Sequence, residues 1–283
     1  MKIVKYFFEF IFISLLLIIF KLVGYKNASN LGGFLGRLVG PLFRSKIKIL
    51  KNLEDCNIKN DKEKIINQMW GNYGRILAEY VYLKKFKSGE FSKFINIEGL
   101  ENLRDIKEKN KKVVFISGHF NNFELMAMQL ENFGINLATV YRPLNNIFLN
   151  FIMEKIRIKS ICKNQIKKGR AGSRRLLELF KNGYSIALMI DQRVSEAEKV
   201  NFFNKPAYTT TIPAQLVKKY NCEVVPIYIS RKDGIYFDME IYKPIAFEKT
   251  NSIIDISDKL NKILEEMILK NPSQWIWTHD RWK

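Results

Sequence analysis

Histidine is nearly absent from this chain: His119 and His279 are the only two among 283 residues. Without a His-Glu-x-x-His or comparable spacing, no metal site is expected. Cysteine is scarce too. Cys56, Cys162 and Cys222 stand far apart at irregular intervals, which argues against a disulfide framework or a thiolate zinc site and fits a reducing compartment. Seven scattered prolines form no proline-rich linker, and no internal repeat or low-complexity tract divides the chain. Acidic residues are outnumbered, 28 against 47 Lys and Arg, which leaves a formal net charge of +19. A surface that basic attracts polyanions: nucleic acid, an anionic membrane face or an acidic protein. No RNP sequence or zinc finger is present, so nucleic acid is not an expected partner, and a membrane-tethered nucleic-acid binder stands as the non-enzyme alternative.

What the chain does have is apolar mass, 47% of its residues, enough for one large core or two small ones. Much of it opens the sequence. An almost unbroken apolar run from Tyr6 to Phe20 has Lys2 and Lys5 before it and Lys21 and Lys26 after, with Glu9 its single acidic interruption. A spanning helix needs about 20 apolar residues, so this run is short unless the lysines snorkel and Leu22 to Tyr25 are added. No small-x-small cleavage site follows promptly, which favours an uncleaved membrane anchor over residues 1–24. Lysines on both sides give little orientation. The cysteine usage and the excess of Lys and Arg place the body, residues 25–283, on the cytoplasmic face.

Residues 28–44 set Leu31, Phe34, Leu35, Leu38, Val39 and Leu42 at helical spacing among glycines, suiting either a helix at the lipid interface or one packed on the body. Residues 62–82 read as a strongly amphipathic helix. After Phe94 the pattern becomes strands at 112–117, 135–141, 185–191 and 222–230 alternating with helices near 122–132, 146–158, 173–182 and 212–220. That alternation implies an α/β fold with a mostly parallel central sheet flanked by helices. Residues 234–242 alternate with period two and read as an antiparallel edge strand, followed by a helix over 253–269.

His119 then falls just past a buried strand, where open parallel sheets place ligand sites. In SGHFNNFE, residues 117–124, it precedes Glu124 by five positions. Residues five apart on one helix face apart by about 140°, so the two could pair only if a turn separates them and the helix starts near Asn121 or Asn122 with an Asn cap. Glu124 would then reach one imidazole nitrogen, leaving the other as a general base, with helix-start N–H groups available to developing negative charge. The plainer reading, a turn histidine and a helix-start acid, is equally compatible with the spacing.

Other segments narrow the choice. SGHFNNFE, YRPLNN at 141–146, GRAGSRRLL at 169–177, MIDQRVSEAEKVNFFNKPAYTT at 189–210 and PSQWIWTHDRWK at 272–283 together resemble the lauroyl/myristoyl (late) acyltransferases of lipid A biosynthesis. The resemblance runs from the N-terminal helix to Trp282. It implies a glycerolipid-acyltransferase-like fold in the cell inner membrane, an acyl-carrier-protein thioester as donor, a hydroxyl of a phosphorylated glycolipid as acceptor, and no cofactor. By resemblance His119 is the catalytic base and Glu124 its partner. Arg142, Gly169, Arg170, Asp191 and Gln192 fall on the family's substrate-binding blocks, with Arg174 and Arg175 as further anion contacts or a solvated basic face. Asp191 would order one of these arginines or cap a turn. The family's glycines between the Asp-Gln pair and the Phe-Phe block are missing here, which makes that loop the least transferable part. The chemistry has its own logic: a lipid hydroxyl attacks a thioester slowly unless a base takes its proton, and an external nucleophile requires no acyl-enzyme. KKFK at 84–87 and KNQIKKGR at 163–170 could dock the acidic carrier or touch anionic headgroups, and Phe202 and Phe203 could line an acyl channel or belong to the core. The tryptophans of the last segment would close the core or form an interfacial belt, with His279 in a supporting role. An acyltransferase acting on lysophosphatidate or a glycosylated phosphoinositide is the nearest rival.

Overall fold

The structure is a computed structural model and describes residues 2–194 and 197–282. Ser195 and Glu196, in the loop that lacks the family's glycines, lie outside the described residues. A helical layer comes first: α1 (Lys2–Leu22), α2 (Tyr25–Val39), α3 (Lys46–Asp55), α4 (Lys62–Glu79) and α5 (Leu83–Lys87). After β1 (Ile95–Glu98) and α6 (Leu100–Glu108) the alternating part begins, with β2 (Val114–Ser117), α7 (Glu124–Asn132), β3 (Leu137–Tyr141), α8 (Ile147–Ser160), β4 (Asn164–Lys167), α9 (Arg170–Lys181) and β5 (Ser185–Met189). A hairpin of β6 (Glu198–Phe202) and β7 (Lys205–Thr209), then α10 (Ile212–Tyr220), β8 (Val224–Lys232), β9 (Tyr236–Ile241) and α11 (Ile253–Lys270), complete the fold.

Among the described residues one sheet has the order β1-β9-β8-β2-β5-β3-β4, and β8, β2, β5, β3 and β4 run parallel. The expected α/β architecture is therefore present. β2 is buried at every position because helices cover both faces, which is why its sequence is a continuous apolar run. β9 does pair antiparallel with β8, but it is not the edge: the short β1, unread in the sequence, pairs with its far side.

Two local features position the site. Gly32 and Gly36 of α2 meet Gly74 of α4 so closely that a methyl on any of them would overlap the opposing backbone, so the two helix axes cross with no side chain between them. α2 thus buries Ala28, Ser29, Gly32 and Gly33 on the body and leaves Phe34, Leu38 and Val39 exposed. The second feature is the turn after β2. α7 begins at Glu124 rather than at Asn121 or Asn122, and neither asparagine caps it. Asn121 sits at φ 39° and donates to the Gln274 side chain, while Asn122 Nδ2 donates to Glu79 Oε2 at 2.9 Å.

Candidate active site

Strand register brings the chemistry together. Ser117 of β2 is paired with Met189 of β5, and His119 and Asp191 each follow two residues later, so both leave the C-terminal edge of neighbouring parallel strands. The Asp191 carboxylate accepts from His119 on two sides, from the backbone N–H at 2.8 Å (Oδ2) and at Nδ1 at 2.7 Å (Oδ1). The Trp275 indole N–H donates to Oδ2 at 2.9 Å. This corrects the expectation that Glu124 holds the imidazole and that Asp191 orders an arginine or caps a turn. The physical reason is directional: Glu124, as the first residue of α7, turns toward Tyr80, just past the end of α4, and toward α8.

There Glu124 Oε1 accepts from Arg157 Nη2 at 2.6 Å, from Arg157 Nε at 3.0 Å and from the Tyr80 hydroxyl. Behind this group lies a second, deeper one. Arg231 Nη1 and Nη2 grip the two oxygens of Glu79 at 2.5 and 2.9 Å, and Ser29 donates to Glu79 at 2.8 Å. Since Glu79 also receives Asn122, this buried ion pair ties the turn after β2 to α4 and β8; removing one partner of such a pair costs about 3–5 kcal/mol.

Burial alone would lower the pKa of His119, but the Asp191 carboxylate outweighs it and the net shift is upward from 6.5. Burial likewise pushes against ionisation of Asp191, and the His119 ring, its N–H and the Trp275 N–H overcome that and hold the carboxyl at about 2. With Nδ1–H committed to Asp191, the lone pair of the neutral ring lies on Nε2. The His119 side chain is 19% exposed, enough for a substrate to reach it. Gln192 Nε2 lies across the ring, 3.5 and 3.4 Å from its two nitrogens, and Phe123 packs on it edge-on with centroids 4.7 Å apart. A small apolar hollow opens beside the imidazole, lined by Met69, Tyr73, Ile76, Phe123, Trp275 and Ile276 among others.

The remaining expected residues occupy the same strand edge without touching the dyad. Tyr141 of β3 is paired with Lys167 of β4, so Arg142 and the Lys168–Gly169–Arg170 corner emerge side by side, and Arg142, Gly169 and Arg170 are all exposed. Gly169 has φ 141°, which a side chain there would strain. Arg174 is exposed, and Arg175 forms an ion pair with Glu178 at 2.7 Å. In the KKFK segment Lys85 pairs with Glu90 and Lys87 with Glu131, leaving Lys84 exposed.

Several aromatics read both ways from sequence prove to be core. Phe202 is fully buried and stacks with Trp282, while Phe203 and Asn204, at φ 52° and 57°, make the tight turn between β6 and β7. Trp275 and Trp277 are buried, so these two close the core. Burial lowers the pKa of half-buried His279, and its carbonyl accepts from Asn52. Among the described residues no cluster of three or more His, Cys, Asp or Glu is placed to hold a metal. Sequence reasoning missed Arg157, Tyr80, Glu79 and Arg231. Arg157 offered no signal, being one basic residue among several on α8; Glu79 could have been noticed as an acid on the apolar face of an amphipathic helix.

Comparison with known proteins gives the family of the chain. A family model for bacterial lipid A biosynthesis acyltransferases matches residues 1–283. The chain is 24% identical over 268 residues to the lipid A biosynthesis palmitoleoyltransferase of Escherichia coli (strain K12), covering 92% of this chain and 86% of that one. It is 24% identical over 269 residues to the lipid A biosynthesis lauroyltransferase of the same organism, with the same coverage. Among solved structures, a 1-acyl-sn-glycerophosphate (LPA) acyltransferase from Thermotoga maritima superimposes with a TM-score of 0.44 at 14% identity, over 89% of this chain and 100% of that one.

Proposed function

The chain belongs to the bacterial lipid A biosynthesis acyltransferases, and from that membership and the site's geometry we propose that it carries a fatty acyl group from an acyl-carrier-protein thioester to a hydroxyl of a phosphorylated lipid A precursor, with His119 as general base. The observation that carries the base assignment is the 2.7 Å contact between His119 Nδ1 and Asp191 at the edge of the parallel strands. It fixes the tautomer with Nε2 as acceptor and stabilises the imidazolium once the proton arrives.

The acceptor hydroxyl gives its proton to Nε2 while its oxygen attacks the thioester carbonyl. The tetrahedral intermediate then expels the carrier's thiolate, which takes the proton back from the imidazolium, so no group on the enzyme is acylated. Glu124 would serve by orienting Arg157: Nε and Nη2 lie on the carboxylate, and the guanidinium charge, which is felt at His119, would meet the charge developing on the carbonyl oxygen. Arg142 and Arg170, exposed at the same edge, would bind the acceptor's phosphates, for which a forked guanidinium is suited. The unpaired lysines, with net charge +19, would steer an acidic carrier toward this face, and the body would work from the cytoplasmic side of the inner membrane.

The test is acyl transfer by the purified protein, with radiolabelled acyl-carrier-protein thioester and phosphorylated lipid A precursor. His119→Ala should abolish transfer while circular dichroism remains that of the wild type. Persisting transfer would remove His119 as base, and transfer to lysophosphatidate in place of the lipid A precursor would overturn the acceptor assignment.

A further inference from the structure

A tether that merely crosses a bilayer touches its soluble domain near one end. α1 does not behave this way. Tyr6, Glu9, Phe10, Ile13, Leu16 and Leu17 are half-buried and Phe20 is fully buried, a single stripe at spacings of three and four that faces the body along the helix. At one end Asn146, which caps α8, donates to the Tyr6 carbonyl at 2.9 Å and to Glu9 Oε2 at 3.1 Å, and Phe148 packs on Phe7 and Phe10 with centroids 5.8 Å away. At the other, the Tyr82 hydroxyl donates to the Phe20 carbonyl at 2.7 Å. From Tyr6 to Phe20 is about 21 Å of helix rise. Glu9, the acidic residue of the apolar run, is thereby explained: it is a docking group.

The opposite side of α1, with Val4, Phe8, Phe12, Leu15, Ile19 and Leu22, is exposed and apolar. It is not alone. Phe34 and Leu38 of α2, Leu42 and Phe43 in the turn after it and Ile47 of α3 are exposed as well, with Leu42 at 83%. Arg44, Lys48 and Lys51 stand exposed in the same stretch. Apolar anchors rimmed by basic side chains fit an anionic lipid leaflet.

The geometry points to a one-leaflet placement: α1 stays docked on the body and, with the apolar rim at 34–47, enters one leaflet without crossing the bilayer, so that its N-terminal end and the body remain on the same side. By length and composition the whole of Lys2–Leu22 could cross a bilayer, but its apolar run between Lys5 and Lys21 rises about 22 Å, against a hydrocarbon core of about 30 Å, and one side of that run is taken up by the body. Crossing would also draw the polar cap of α8 into lipid, because Asn146 is bonded to Tyr6 and Glu9 of α1. The inference rests on the membrane location proposed above and is independent of the chemistry.

Cys56, Cys162 and Cys222 are buried, so single introduced cysteines can be read in the full chain. Lys2→Cys, Lys249→Cys as body marker and Leu42→Cys are each exposed to a membrane-impermeant maleimide in sealed inside-out and right-side-out membrane vesicles. Lys2→Cys should label only in the preparation in which Lys249→Cys labels, and Leu42→Cys should stay unlabelled in both until detergent is added. Labelling of Lys2→Cys from the side opposite to Lys249→Cys would overturn the placement, as would ready labelling of Leu42→Cys in sealed vesicles. Recovery of the chain in the soluble fraction would overturn the membrane location as well.

Discussion

The proposed base, His119, sits in a setting that makes it more basic than a free imidazole, because Asp191 stabilises the charged ring. The cost is a larger protonated fraction at neutral pH, and it fixes the sign of the pH dependence. Only the neutral ring accepts a proton, so kcat/KM should rise with pH through an acid limb above 6.5. Asp191→Asn removes the anion, and it should move that limb to lower pH while lowering kcat by about 10²-fold or more. A pH–rate profile of the two proteins checks both; a limb that stays in place would separate Asp191 from the base. Linkage runs in opposite senses for the two partners. The contribution of His119 to stability is present below pH 6.5 and is lost as pH rises through its raised folded value; that of Asp191 is present above 3.8 and is lost as pH falls toward 2. Glu124 and Arg157 should act as a unit: Glu124→Gln and Arg157→Lys each lower turnover by about 10²-fold, and the double variant is little worse than either. Additive losses in kcat would show independent roles. At this scale the sequence disclosed His119 and Glu124 because they stand close together in the chain. Asp191 was visible as a motif residue but not as the partner, since its position opposite His119 comes from a strand register spanning 72 residues.

The contact between α2 and α4 decides where Glu79 and Tyr80 end up, and it depends on glycine. Gly74→Ala puts a methyl into the Gly32 carbonyl and spreads the two helices. It should lower stability by about 1–3 kcal/mol, as overpacking does, and loosen the Glu79–Arg231 pair with it; thermal unfolding in detergent is the measurement. An unchanged melting temperature would mean that the helices part without cost. The glycines at 32, 33 and 36 were readable as small residues on a helical pattern, but pattern alone cannot distinguish a close crossing from a softened interfacial helix. In the structure α2 is packed on one face and bare on the other. The alternating strands and helices were legible because buried parallel strands are apolar throughout. β1 was not, since its half-exposed Ile95–Glu98 is short and mixed, and β9 was consequently taken for the edge.

At the level of the whole molecule, the C-terminal edge of the parallel strands carries His119, Asp191 and a set of exposed basic groups, with Arg157 of α8 on Glu124, while α1 and its neighbours present an exposed apolar surface. Composition disclosed the apolar first helix and the charge of +19. It could not disclose that α1 lies along the body, because Glu9 finds Asn146 only once the chain has folded. The central claim is that this molecule adds an acyl chain to a lipid A precursor by means of His119. Mass spectrometry of lipid A from cells lacking this gene tests it most directly: the lipid should lose the mass of one fatty acyl group, wild-type protein should restore it, and His119→Ala should not. An unchanged lipid A in the deletion strain, or full restoration by His119→Ala, would contradict the account.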